Sequence, residues 1–166
     1  VSMTPLQTLT FYNAVANNGE MVKPSFIKSI GSFGEDPIYE IDKEIIMPSI
    51  CSDETLKSVQ IMLKNVVEKP WGTANNIYDK NIKIAGKTGT SQTGYASGEI
   101  EYISSFVGYF PADNPKYSAI VVINKPDKSK GFYGNSVAAP VFKKVAQKII
   151  TGIPIEIEIS KKDILF

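Results

Sequence analysis

Ile82-Lys83-Ile84-Ala85-Gly86-Lys87-Thr88-Gly89-Thr90 reads as a β-strand, the first of three. The second covers residues 101–110 and the third residues 117–124, and turns rich in Gly, Asn, Asp and Pro join them. Connections this short favour antiparallel neighbours. In the third strand Ala119, Val121 and Ile123 alternate with Ile120 and Val122, so both faces are apolar and both need a cover. The expected class is α/β in the wide sense (α+β): an antiparallel sheet with helices on both faces.

Helical signals flank these strands. Ser2 or Thr4 can cap a first helix with Pro5 at its opening position; Leu6, Leu9, Tyr12, Val15 and Ala16 fall near one face, and Asn17-Asn18-Gly19 ends it. Residues 21–30 and 38–41 read as extended, on either side of a turn region at Gly31 and Gly34. A longer helix is predicted over 52–69. Asp53 and Glu54 suit the positive end of its dipole, Leu56, Val59, Leu63 and Val66 form its stripe, and Pro70 stops it. A last helix is predicted over 139–150, opened by Pro140, with Val141, Phe142, Val145 and Ile149 facing inward. The tail Ile153-Pro-Ile-Glu-Ile-Glu-Ile159 alternates apolar and acidic residues, which is a strand signal with no evident partner.

Composition excludes several chemistries. The 18 basic residues nearly balance the 17 acidic ones, and every basic residue is Lys. No long-range field favours nucleic acid, and the forked guanidinium that clamps phosphate or reads guanine is absent. There is no His, which removes the Ser-His-Asp triad, the Cys-His dyad and His-based zinc sites. Acyl-transfer chemistry would therefore use Lys or a carboxylate. Cys51 stands alone, without a partner for a disulfide or a His to activate it, and no metal or cofactor is implied. No apolar run approaches the roughly 20 residues of a membrane span, and the N-terminus lacks the pattern of a signal peptide.

The motif with chemical content is Lys87-Thr88-Gly89-Thr90. It offers a cation for a carboxylate, two hydroxyl donors, and a glycine in a strand interior, where glycine costs stability and often marks close approach by a ligand or another backbone. A strand left bare there lets a peptide lie alongside its edge. A Lys-Thr-Gly triplet arises by accident on the order of a few per cent of the time in a chain this long. A solvated lysine beside a turn glycine is thus one reading of these residues. Another is the end of a phosphate-binding loop, Gly86-Lys87-Thr88, but that loop needs a glycine where Asn81 stands and must open a helix.

Taken with its neighbours, the motif resembles the C-terminal part of the transpeptidase domain of class B penicillin-binding proteins, which cross-link peptidoglycan. The resemblance covers nearly all of residues 1–152, in order and spacing: Val1-Ser-Met-Thr-Pro-Leu-Gln7, Ala16-Asn-Asn-Gly19, Val22-Lys-Pro24, Gly72-Thr-Ala74, Ala85-Gly-Lys-Thr-Gly-Thr90, Phe106-Val-Gly-Tyr-Phe-Pro111 and Ala138-Ala-Pro-Val-Phe142. It implies a truncated penicillin-binding-protein or β-lactamase-like fold over 1–152, with 153–166 as a tail. It also implies roles. Lys87 would bring charge beside the nucleophile, and Thr88 and Thr90 would hold the carboxylate of a stem peptide ending in D-Ala-D-Ala, or of a β-lactam. The backbone N–H of Thr90 would be one of two oxyanion donors, and Gly89 would keep the strand close to the substrate. Other cell-wall synthesis proteins would be further partners. The expected location is outside the cytoplasmic membrane, anchored by an N-terminal segment not in this chain.

The family's nucleophile, a Ser-x-x-Lys at a helix opening, and its Ser-x-Asn group both precede Lys-Thr-Gly. Ser25-Phe-Ile-Lys28 has the first spacing but lies in a segment read as extended, and Tyr133-Gly-Asn135 imitates a variant of the second but follows Lys87 in a segment read as a loop. The chain is therefore expected to be a fragment that forms no acyl-enzyme alone. It is expected to self-associate through an open sheet edge or to capture its own tail there. A non-catalytic scaffold module and a β-lactam-hydrolysing relative are the alternative readings.

Overall fold

Three antiparallel strands organise the centre of the computed structural model, which describes residues 3–32, 34, 36–94 and 100–152. They are Ala85–Thr93, Glu101–Phe110 and Tyr117–Asn124, with the middle strand pairing on both sides. In chain order the elements are α1 (Pro5–Ala16), β1 (Met21–Val22), β2 (Ser29–Ile30), β3 (Tyr39–Glu40), β4 (Ile45–Met47), α2 (Asp53–Glu68), a 3-10 turn (Asn75–Ile77), β5 (Ala85–Thr93), β6 (Glu101–Phe110), β7 (Tyr117–Asn124), α3 (Gly134–Val137) and α4 (Ala139–Thr151). The tail read as a strand lies outside the described residues.

Alternation along β6 sorts the core into two layers. Phe106 and Phe110 point to one face, where they meet Phe142 of α4 edge-to-face at 4.8 and 5.7 Å, together with Val67, Ile77, Ile82 and Ile84. Tyr109 points to the other face, among Val15 of α1 and Leu56 and Leu63 of α2, and burial pushes its phenol up to about 12. Helices thus cover both faces, as the two apolar faces of residues 117–124 require.

Local chemistry explains the helix ends. Thr4 caps α1 through a reciprocal box: its hydroxyl accepts from Gln7 N at 3.2 Å, and its own N–H donates to Gln7 Oε1 at 2.8 Å. Ser52 caps α2 by accepting from Thr55 N at 3.3 Å, with Asp53 and Glu54 in the first turn. Gly152 closes α4 in the left-handed region, at φ 65°.

Several expectations are corrected. The inward stripe of α4 is Ala139, Phe142 and Ala146; Val141 and Ile149 are exposed, because the face is set by Phe142 docking on β6. On α1 the C-terminal half is buried, at Ala14 and Val15, while Leu6 is exposed. The extended segment 21–30 is two short strands, each paired elsewhere: β1 with β4 and β2 with β3. Pro24 lacks a donor for a ladder, and Ser25 turns its hydroxyl onto Ile27 O at 2.7 Å, so the intervening residues leave the ladder. The first strand of the sheet starts at Ala85 rather than Ile82, since Asn81 N donates to the Asp79 carboxylate and Ile82 N to Asp79 O, so the chain is still turning at Ile82. No helix among the described residues is long and apolar enough to cross a membrane.

Candidate functional site on the open edge of the sheet

β5 pairs with β6 on one side, so among the described residues its other edge is open. The register sets Lys87 opposite Val107, Thr88 opposite Phe106 and Thr90 opposite Ser104. Strand alternation therefore sends Lys87 toward the α1 and α2 face, with Ala85, and sends Thr88 and Thr90 toward the α3 and α4 face. The lysine nevertheless curls back: its Nζ donates to Thr88 O at 3.0 Å and stands 3.5 Å from Thr88 Oγ1. Cation and hydroxyl converge at the edge although their Cβ atoms point apart. Among the described residues no carboxylate pairs with Lys87, so its charge is available to a ligand.

Each threonine hydroxyl has a polar group behind it. Thr88 Oγ1 shares a hydrogen bond with Thr73 Oγ1 at 3.3 Å. Thr90 Oγ1 accepts from Gly134 N at 3.0 Å. A backbone N–H can only donate, so Thr90 keeps its own proton for a partner in front. Gly134 can reach this position because it has no side chain: a Cβ there would lie 2.4 Å from Ser105 O and 2.6 Å from Gly89 O. A Cβ on Gly89 would lie 2.5 Å from Ser105 Oγ. Close packing inside the protein thus gives Gly89 a reason of its own, beside the ligand approach expected from the sequence.

Further along β5, Thr90, Gln92, Tyr102, Phe132 and Tyr133 line a cleft of about 430 Å³. Its wall is an aromatic stack, with ring centroids 4.1 Å apart for Tyr102 and Phe132 and 4.4 Å apart for Phe132 and Tyr133. Among the described residues the arrangement combines a cation, a Thr90 hydroxyl whose acceptor side is filled, a Thr88 hydroxyl shared with Thr73 and a backbone edge without a strand partner, a set with the chemistry to hold an anionic group.

Lys87, Thr88, Gly89 and Thr90 are thus brought to one strand edge. Ser25 and Lys28 are not at a helix opening, and the Ser25 hydroxyl is spent on Ile27 O. Tyr133-Gly-Asn135 differs from its reading as a loop: Gly134 and Asn135 open the short helix α3, which packs against β5 and β6 beside Thr90. Sequence reasoning missed Thr73, Asn76, Phe132, Tyr133 and Gly134 as neighbours of the motif. Gly72-Thr-Ala74 and Tyr133-Gly-Asn135 were visible as segments, but their contacts with β5 span 15 and 44 residues and no periodicity announces them.

Comparison with known proteins identifies the family. Residues 1–147 match the model of the penicillin binding protein transpeptidase domain. The chain is 32% identical over 149 residues to the peptidoglycan D,D-transpeptidase FtsI of Buchnera aphidicola subsp. Baizongia pistaciae, covering 89% of this chain and 24% of that protein. It is 32% identical over 147 residues to stage V sporulation protein D of Bacillus subtilis, covering 85% and 22%. Penicillin-binding protein 3 of Mycobacterium tuberculosis, in its apo form, superposes with a TM-score of 0.69 at 30% identity, covering 92% of this chain and 36% of that one. The chain therefore spans under a quarter of the length of these two curated relatives (24% and 22%). Because the match takes in the motif strand, the whole three-stranded sheet and helices from both layers, the chain belongs to the penicillin-binding-protein transpeptidase family.

Proposed function

We propose that residues 1–152 form the carboxylate-binding wall of a serine-type peptidoglycan D,D-transpeptidase. The observation that carries this reading is the convergence of Lys87 Nζ with the Thr88 hydroxyl on an unpaired strand edge, two residues from a Thr90 hydroxyl whose acceptor side is already filled. A stem peptide ending in D-Ala-D-Ala adds to β5 as an extra strand, and its terminal carboxylate accepts hydrogen bonds from the hydroxyls of Thr88 and Thr90 under the charge of Lys87.

A serine from outside these residues then attacks the carbonyl between the two D-Ala units, passing its proton to a lysine three positions on. The carbonyl oxygen becomes an oxyanion held by the backbone N–H of Thr90 and that of the serine. Collapse breaks the peptide bond as the lysine hands its proton to the leaving nitrogen, so the terminal D-Ala departs as an amine and an acyl ester stays on the serine. An amine of a second stem peptide attacks this ester, forms the cross-link and frees the serine. A β-lactam enters through its own carboxylate and acylates the same oxygen. The reaction belongs outside the cytoplasmic membrane, where peptidoglycan is assembled.

Fluorescent penicillin tests the reading. The protein that carries the serine should give a label that survives denaturation, and Lys87→Ala should slow labelling by about tenfold or more while the melting curve stays in place. Equal labelling in that variant removes Lys87 from the mechanism. Residues 1–166 alone should take no label, because neither Ser25 nor any other serine here sits three positions before a lysine at a helix opening. Covalent labelling of this chain would overturn the requirement for a serine from elsewhere.

A further inference from the structure

The hydroxyl of Thr90 owes its orientation to α3, and α3 is a single turn of four residues, too short to hold a position by its own hydrogen bonds. Beside its run into α4 and the hydrogen bond that Ser104 Oγ donates to Phe132 O just before it, two features register it on β5. One is the fit of Gly134 onto the backbone of Gly89 and Ser105. The other is a long-range tether: Asn76 Nδ2, on the 3-10 turn after α2, donates to Asn135 O at 2.7 Å, across 59 residues of sequence. Asn135 is the residue next to Gly134, whose N–H donates to Thr90 Oγ1 at 3.0 Å. Asn76 therefore grips the Asn135–Ser136 peptide, two peptide units beyond the one whose N–H fixes which way the Thr90 proton points.

We propose that Asn76 is a positioning residue for carboxylate recognition: through Asn135 and Gly134 it holds the Thr90 hydroxyl with its proton toward the ligand. The proposal rests on the carboxylate-wall reading above. The chain of donors runs one way: Asn76 Nδ2 donates to Asn135 O, the Ser136 N–H of that same peptide donates to Tyr133 O at 3.0 Å, and the Gly134 N–H of the peptide that carries Tyr133 O donates to Thr90 Oγ1, so the donors stand in series and reinforce one another. The same connection after α2 also supplies Thr73 behind Thr88, so a single turn stands behind both hydroxyls of the motif. Without the Asn76 amide, α3 keeps its glycine fit but loses its register, and the Gly134 N–H drifts from Thr90. The Thr90 hydroxyl can then rotate its proton away from the ligand.

The test compares acylation rates of the serine-bearing protein with a β-lactam and with the methyl ester of the same β-lactam. Loss of one neutral hydrogen bond corresponds to roughly three- to tenfold, so Asn76→Ala should slow the acid by about that factor and leave the ester within twofold. Asn76→Asp keeps the volume but turns an acceptor toward Asn135 O, and should show the same acid-selective loss if the alanine variant does not fold. Thr90→Val should show a larger acid-selective loss, and adding Asn76→Ala to it should cost the acid nothing more. If Thr90→Val slows acid and ester equally, the carboxylate-wall reading itself fails. If Thr90→Val is selective while both Asn76 variants slow the two compounds equally, or neither, the positioning role of Asn76 is overturned.

Discussion

Gly134 shows how one residue couples packing to chemistry. Its missing side chain lets a backbone N–H reach Thr90, and the atoms that fill the space of a Cβ are backbone oxygens of Ser105 and Gly89. Those oxygens belong to a paired strand and cannot rotate away, so Gly134→Ala must push α3 off the sheet. Overpacking of this kind costs about 1–3 kcal/mol, and urea unfolding of the 166-residue chain should register it as a lowered midpoint with an unchanged slope. By contrast, a Cβ on Gly89 meets the Ser105 side-chain hydroxyl, which can turn aside, so Gly89→Ala should cost less. Equal destabilisation by the two substitutions would refute the distinction between a yielding side chain and an unyielding backbone.

At the level of elements, Asp79 ties the approach to β5 to α4. Its carboxylate accepts from Asn81 N at 2.9 Å and Gln147 Nε2 at 3.1 Å, and lies 3.6 Å from Lys143 Nζ. The Asn81 N–H first, with help from Gln147 and Lys143, holds the Asp79 carboxyl below its ordinary range. A depressed carboxyl adds stability that is present above its unfolded pKa and lost as pH falls through its folded pKa. Asp79→Asn should therefore be less stable than the parent near neutral pH, and the gap should close as pH drops below the usual carboxylate range. A gap that stays constant to low pH would show that charge is not the cause. Elements of this kind differ in how far the sequence announces them. The capped and striped helix at Asp53–Glu68, and the strands Glu101–Phe110 and Tyr117–Asn124, are legible because caps, stops and alternation are local signals. The inward face of α4 is not, because Val141, Phe142, Val145 and Ile149 form as good a stripe as Ala139, Phe142 and Ala146 until Phe106 and Phe110 select one. The motif residues of the site were legible by resemblance, whereas Thr73, Asn76 and Gly134 join them only through tertiary contacts.

For the molecule as a whole, the sheet has two edges that differ in kind. The β5 edge carries the candidate site and exposes polar residues, Lys87, Thr90 and Gln92 among them; the β7 edge, among the described residues, is unpaired along a strand with apolar residues on both faces. Ala119, Val121 and Ile123 pack toward α4, while Val122 is 39% exposed and Tyr117 47%. Unpaired N–H and C=O groups on an apolar strand form a template for another strand. A second copy of this chain can supply one, two β7 edges pairing antiparallel about a twofold axis. Multi-angle light scattering of the isolated chain should give a mass above the 18.2 kDa of one copy and rising with concentration. Val122→Lys, a charge on the edge strand, should return it toward 18.2 kDa without unfolding it. A competing source of association is the β2 and β3 hairpin, where Phe26 is 88% exposed and Ile38 82%. If Phe26→Ser with Ile38→Lys restores the monomer and Val122→Lys does not, the hairpin rather than the sheet edge holds the copies together. A single mass of 18.2 kDa at every concentration would rule out both.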